Sequence, residues 1–210
     1  AIEFRSKEPG TTWRMIWDFI YSFASIVISL SLGLMLGNVA LGLPLSEQHD
    51  FIGDWLSFFN PFSIMVAITT LALFMLHGAI YLAMKTENRL YTKMTLLAKS
   101  FTVFFVVALG LTTLYTLLYI PHLSDRIRSS SQYFILPVIM FLAIANIPRQ
   151  LNKGKYFNAF ISSAVTIASL LAMVAIEVFP YLLYATNDAR NSITVENAAS
   201  SLMTMKTLLL

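Results

Sequence analysis

Five long apolar stretches, joined by short charged connections, leave this chain few ways to fold. They run over about 15–42, 61–84, 96–120, 132–147 and 156–183. Four of them exceed the ~20 apolar residues that carry a helix across the ~30 Å hydrocarbon core. The fourth is shorter and is expected to cross steeply or to thin the bilayer around it. A backbone crosses lipid only if its hydrogen bonds close internally, and uninterrupted apolar runs of this length read as helices, not barrel strands. The expected fold is therefore all-α: a polytopic transmembrane helix bundle forming a single integral-membrane domain over 1–210, with a further helix beginning near 203. The chain starts at Ala1 and stops within the apolar run Met205–Leu210. The expectation is a portion of a longer protein, with helices missing at both ends.

Composition agrees with lipid as a solvent. Hydrophobic residues make up 57% of the chain, the mean hydropathy is +0.71, and sixteen Phe and nine Tyr suit lipid-facing surfaces and interfacial belts. The net charge of +3 does not indicate nucleic acid, because the cations are divided among short loops and form no continuous patch. With no cysteine, disulfides, iron–sulfur clusters, thiolate metal sites and covalent c-type haem attachment within the chain are excluded.

Orientation follows from the loop charges. One side carries Arg5, Lys7, Arg14, Lys85, Arg89, Lys93, Lys99, Arg149, Lys153 and Lys155; the other carries only Arg126, Arg128, Arg190 and Lys206. The first side is expected to be cytoplasmic, so residues 1–14, 85–95 and 148–155 face the cytoplasm. The loop at 43–60 fits an outer position, with Glu47, Asp50 and Asp54 and neither Lys nor Arg. Arg126 and Arg128 are exceptions, open to pairing with Asp125 or with a partner subunit, although a solvated loop is preferred. Asn60-Pro61 combines a capping side chain with a first-turn proline. Pro44, Pro121, Pro148 and Pro180 fall at or near run ends, where a missing amide hydrogen costs least. Pro137 sits inside the short fourth run and is expected to kink it.

Two stripes of small residues point to close helix packing: Ser25, Ser29, Gly33 and Gly37 on the first helix, and Ala164, Ala168 and Ala172 on the fifth. Phe101, Phe104 and Phe105 on the third helix are expected to face lipid or another subunit. The ten Met are core filler.

Intramembrane ionisable groups are costly and become functional candidates by default. This sequence offers three: His77, Asp18 and Glu177. His77 is expected in the cytoplasmic half of its helix, where haem ligation, proton relay and a helix-to-helix hydrogen bond are all open to it. A bis-histidine haem needs a second imidazole at the same depth, and His49 and His122 both fall in outer loops. A buried, hydrogen-bonded structural role is preferred. Glu177 lies near the outer end of the fifth helix, within reach of water. Asp18, beside the interfacial anchors Trp13 and Trp17, has a sufficient electrostatic reason in the helix macrodipole. No phosphate loop, nucleophile–base pair or metal box is present, so neither catalytic nor metal residues are assigned.

Several strings, in order across nearly the whole chain, resemble subunit II of the cytochrome bd quinol oxidases. They are Glu3-Phe4-Arg5-Ser6-Lys7, then Trp13 and Trp17-Asp18, Gly33 through Gly42 with Pro44, and Asn60-Pro61-Phe62. Leu76-His77-Gly78-Ala79, Lys85-Thr86-Glu87, Phe179-Pro180 and Ser192 through Ser201 complete the set. The resemblance implies a multi-pass subunit of a respiratory heterodimer in the bacterial cytoplasmic membrane. That complex passes electrons from quinol to dioxygen, makes water and contributes to the proton gradient. In the family, haem b, haem d and the quinol-oxidising loop belong to subunit I, and small accessory membrane subunits can join. Subunit II is haem-free, can hold a structural quinone and helps line a cytoplasmic proton path. The acidic residues of that path lie in N-terminal helices that this chain lacks, so none is carried over. Only His77 and the Trp17-Asp18 pair carry over by position, without an assigned role or cofactor-binding residue. The competing functions are a secondary transporter fragment, which would show matching helix breaks around a midplane polar site, and a purely structural assembly subunit.

Overall fold

The computed structural model describes residues 2–8, 10–120, 123, 131–200, 204 and 207. A short helix α1 (Ile2–Arg5) precedes five long ones: α2 (Thr11–Leu41), α3 (Pro61–Lys85), α4 (Asn88–Tyr119), α5 (Ile135–Asn152) and α6 (Tyr156–Val178). All five are long and apolar enough to cross a membrane, so the bundle and its five spans stand as expected. Pro121, His122, Asp125, Arg126 and Arg128 lie outside the described residues, as does most of the helix expected from 203.

Helix boundaries depart from the apolar runs wherever polar residues continue a helix or a proline redirects it. α4 starts at Asn88, eight residues before its apolar run, because Asn88–Thr95 contains no breaker and its polar side chains reach the aqueous boundary. Only Thr86 and Glu87 separate α3 from α4, which makes the pair a tight helical hairpin. α5 is preceded by a 3₁₀ turn over Ser131–Phe134. Pro137 therefore falls in the first turn of α5, where a proline disturbs no hydrogen bond, and the kink expected there is not needed. Pro148 lies inside α5, not at its end. It is exposed and lies within two turns of the C-terminus, so the one hydrogen bond it removes is close to the helix end. α6 ends at Val178, short of the expected 183. Phe179 is held extended ahead of Pro180, and the chain continues into strand β1 (Tyr181–Leu183), which pairs antiparallel with β2 (Ile193–Thr194).

α3 is the central element, in contact with α2, α4 and α6, while α5 and α6 form a second hairpin. The core combines Ala72, Leu73, Leu76, Ala79 and Ile80 of α3 with Phe105 of α4, Ile144 and Ile147 of α5 and Ala159 of α6. Phe105 is fully buried, which corrects its expected lipid-facing position; Phe104, one residue on around the helix, is the exposed ring.

The glycines of α2 set its contact with α3. A Cβ at Gly33 would lie 2.4 Å from Ala67 Cα, and one at Gly37 would lie 2.6 Å from Ser63 Cα. The packing role expected of the stripe holds for these two residues. Ser25 and Ser29 instead turn their hydroxyls to Tyr21 and Ser25 carbonyls of their own helix. Gly42 closes α2 with a φ of 85°, the left-handed conformation that favours glycine after a helix.

On the fifth helix the buried face is Ala159, Ser162, Ser163, Thr166 and Ser169. Ala164, Ala168 and Ala172 lie beside it and are not fully buried. In lipid a Ser or Thr packs as closely as Ala and also satisfies its hydroxyl, as Ser162 does on the Asn158 carbonyl and Thr166 on that of Ser162.

These contacts give a sharp test. Gly37→Val must push α2 from the Ser63 backbone, and overpacking of this kind costs about 1–3 kcal/mol. Gly110→Ala places its methyl in open space and should leave the melting temperature of the purified complex unchanged. Thermal unfolding that ranks the two variants equally would contradict the packing described.

Candidate functional site

Two polar layers flank the core. The first, at the end of the bundle where α2 stops and α3 starts, begins at Asn38 of α2, which is 4% exposed. Its amide nitrogen donates to the carbonyls of Leu34 and Phe58 at 2.8 and 2.9 Å, and its Oδ1 accepts from Asn60 Nδ2 at 3.0 Å. Asn60 Oδ1 in turn accepts from Ser63 N at 2.8 Å, capping α3 as its sequence position predicts. Above this node two loops knit together. Asn187 grips both backbone groups of Leu45, Asn191 Nδ2 also donates to the Leu45 carbonyl, and His49 Nδ1 lies 2.9 Å from the Asn191 carbonyl. Ser192, 1% exposed, accepts from Ala185 N. Arg190, bonded through its side chain to Asp188, holds that carboxyl below the usual carboxylate range. The Ser192–Ser201 string thus owes part of its pattern to an outer cap, with Asn197 bonding Thr194 and Ser192.

The second layer lies toward the opposite end. His77 stands sixteen residues into α3, about 24 Å along the axis from Pro61 at 1.5 Å per residue. Its Nδ1 is 2.7 Å from Ser163 Oγ, and its ring lies 4.5 Å from that of Phe160. Ser163 Oγ donates its single proton to the Phe160 carbonyl at 2.8 Å. With that proton on the Phe160 carbonyl, Nδ1 donates to the hydroxyl oxygen; with the hydroxyl turned to the ring, Nδ1 accepts, so the imidazole tautomer sets the direction of the bond. His77 therefore bonds α3 to α6.

Two further clusters lie toward the same end of the bundle, the tyrosines about two helical turns nearer that end than Ser163. Gln150 Nε2 donates to Asn146 Oδ1 at 3.0 Å and Asn146 Nδ2 to Ser162 Oγ at 2.9 Å, tying α5 to α6. Tyr91 and Tyr156 hydroxyls meet at 2.8 Å, with Thr95 donating to Tyr156 at 3.3 Å. None of these partners stands out in the sequence, since single Asn, Thr and Tyr residues within apolar runs carry no local signal.

The three candidates do not converge. Asp18 is exposed near the start of α2 and accepts from both Nε and Nη2 of Arg5, the latter at 3.1 Å. Asp18 is the eighth residue of its helix, beyond the first turn where the macrodipole acts, so Arg5 replaces the dipole as its partner. Phe4 stacks on Trp17 at 5.4 Å and Trp13 Nε1 donates to the Phe4 carbonyl, so α1 folds back as a clamp on α2. Glu177 is half-buried in the last turn of α6, at the end of the bundle that carries Asn38 and Asn60.

Among the described residues no cluster of His, Cys, Asp or Glu has the makings of a metal site. His49 and His77 sit near opposite ends of the bundle, so these two imidazoles do not fit a shared haem.

The whole chain, residues 1–210, matches the family model described as cytochrome bd terminal oxidase subunit II. It is 23% identical to the probable cytochrome oxidase subunit 2 of Haemophilus influenzae, covering 100% of this chain and 63% of that protein. It is 24% identical to the cytochrome bd ubiquinol oxidase subunit 2 of Bacillus subtilis, covering 98% and 60%. The bd oxidase structure from Geobacillus thermodenitrificans superposes with a TM-score of 0.75 at 21% identity, covering 96% of this chain and 60% of that one. The chain spans about three-fifths of the length of these relatives.

Asparagine sets an amide near the position of Nδ1 that can donate to Ser163 or accept from it, so His77→Asn should keep the tie. His77→Leu removes it and should cost about 1 kcal/mol, the scale of interhelical hydrogen bonds in membranes. Thermal unfolding of the two variants checks it; equal losses would show that the His77–Ser163 bond does not contribute to stability.

Proposed function

The chain belongs to the cytochrome bd terminal oxidase subunit II family, and from that membership we propose that it serves as the haem-free subunit of a bacterial quinol:oxygen oxidoreductase. The observation that carries the proposal is a family match over residues 1–210, the same span that holds the five membrane helices. In this function the chain packs against a haem-bearing subunit I that takes electrons from quinol and reduces dioxygen to water. Haem b and haem d reside in that partner. The chain's own polar groups serve assembly: His77–Ser163 and Asn146–Ser162 join helices, and Asn38–Asn60 fastens the outer turn. A structural quinone and small accessory subunits are compatible additions. Family membership displaces the secondary transporter, and a purely structural subunit differs only in carrying neither protons nor quinone.

The chain is a multi-pass membrane protein, and we place it in the cytoplasmic membrane with residues 1–14, 85–95 and 148–155 inside. The ten-to-four division of Lys and Arg supports this orientation. Because the chain has no cysteine, single introduced thiols report it cleanly. Gln48→Cys should react with a membrane-impermeant maleimide in intact cells, and Lys153→Cys only after permeabilisation. The reverse pattern would invert the topology.

A complex purified through this chain should give a reduced-minus-oxidised spectrum with b- and d-type haem bands, all haem remaining with the larger subunit. A haem-free preparation that keeps its partners would defeat the oxidase function. His77→Asn should sustain quinol oxidation within about twofold of the parent. A severe loss of turnover with normal haem content would make His77 a participant in proton movement.

A further inference from the structure

A cleft of about 680 Å³ opens between the α3–α4 and α5–α6 turns. Its lining divides by chemistry. Ala83, Met84 and Phe157 are apolar, whereas Thr86, Tyr91, Lys155, Tyr156 and Asn158 carry donors. The two turns that frame it hold five cations (Lys85, Arg89, Arg149, Lys153 and Lys155) against one carboxylate, Glu87. The Tyr91 and Tyr156 hydroxyls bond each other at 2.8 Å, so one acceptor–donor pair is already used, and the second hydroxyl proton remains to be given.

These turns end spanning helices, which sets the cleft at the depth of lipid headgroups. A small soluble anion has no use for the apolar wall. A molecule that joins a phosphate to a glycerol and acyl chains uses both parts, and basic pockets between helix ends on the cytoplasmic side are a recurrent way of holding anionic headgroups. We propose that this cleft is a binding site for the phosphate headgroup of an anionic phospholipid of the cytoplasmic leaflet, with Lys155 as the charged contact and Thr86, Asn158 and the tyrosine pair as donors. The lipid would brace the α3–α4 hairpin against the α5–α6 hairpin, where α4 and α5 otherwise touch only lightly.

The assignment of leaflet rests on the orientation proposed above. The complex containing the full subunit, stripped of lipid in detergent, is titrated with phosphatidylglycerol or phosphatidylcholine and the bound lipid counted by native mass spectrometry. Phosphatidylglycerol should be retained in preference to phosphatidylcholine. Lys155→Gln should weaken it about fivefold and Lys155→Glu about thirtyfold, the scale expected for one and two units of charge at a membrane surface. Lys7→Gln, an exposed cation on α1's flank and outside the cleft, should leave binding unchanged. Equal binding by the parent and both Lys155 variants, or an equal effect of Lys7→Gln, would overturn the site. Full displacement of phosphatidylglycerol by inorganic phosphate would make a free anion the ligand and overturn the lipid. Labelling of Lys153→Cys from outside intact cells, with these binding differences preserved, would reject the leaflet and leave the cleft standing.

Discussion

Helices in hydrocarbon gain nothing from hiding apolar surface from one another, so the bundle depends on how closely backbones approach α3. Gly33 and Gly37 let α2 reach the Ala67 and Ser63 backbones at distances where any Cβ would collide. On another side of the same helix Thr69 meets Thr112 of α4 at 2.8 Å, and His77 meets Ser163 of α6. Each contact combines a small or polar residue with a partner that meets its hydrogen-bonding need. The close fit also has a cost: Ser63 Oγ is buried at the Gly37 contact without a hydrogen-bond partner. A buried hydroxyl left unpaired there shows van der Waals fit outweighing one polar group, as expected where packing supplies most of the association energy.

Polar residues are concentrated toward the two ends of the bundle, and they do different things there. The outer layer is mostly backbone satisfied by amide side chains: Asn38, Asn60, Asn187 and Asn191 serve groups that loops would otherwise expose at the membrane boundary. Asparagine suits this because its amide donates and accepts at once. The inner layer joins side chains to side chains across helix pairs. Its members are individually weak, yet each bridges a different pair: α3–α6, α5–α6 and α4–α6. α6 is thus held by polar bonds from three neighbours, which explains why its buried face is built from Ser and Thr.

Much of this was legible in the sequence, and the physical reasons are specific. The spans were legible because the requirement for ~20 apolar residues acts on a whole segment and tolerates local exceptions. Gly33 and Gly37 were legible because nothing but close approach rewards glycine in a helix at that spacing. The Asn60 cap was legible from its proline neighbour. What failed was the choice among faces of an all-apolar helix. Without a polar side to oppose it, α6 was read as packing through its alanine stripe, and only the neighbours show that the Ser/Thr face is the buried one. Phe105 against Phe104 is the same problem one residue apart. Asp18 failed differently: its partner Arg5 lies thirteen residues away on a separate turn of helix, beyond any local pattern. The β1–β2 hairpin failed because an apolar run that crosses Pro180 looks like continuing helix until the proline's effect on Phe179 is weighed.

The distribution of chemistry within the chain bears on the supporting role proposed for it. His77 is bonded to Ser163, and the amides of Asn146 and Gln150 donate within the inner layer. Groups so engaged resist reorganisation, because moving any one of them strands its partner in a medium that cannot solvate it. A site that turns over must instead leave groups free to exchange partners during each cycle. His77 is fixed by its hydrogen bond and by the Phe160 ring. A proton passing through His77 would use both ring nitrogens and require the Ser163 bond to break or reverse. That makes rigid support the natural work of this side chain, and it makes turnover in His77→Asn, which keeps the bond and removes Nε2, the observation that separates support from conduction.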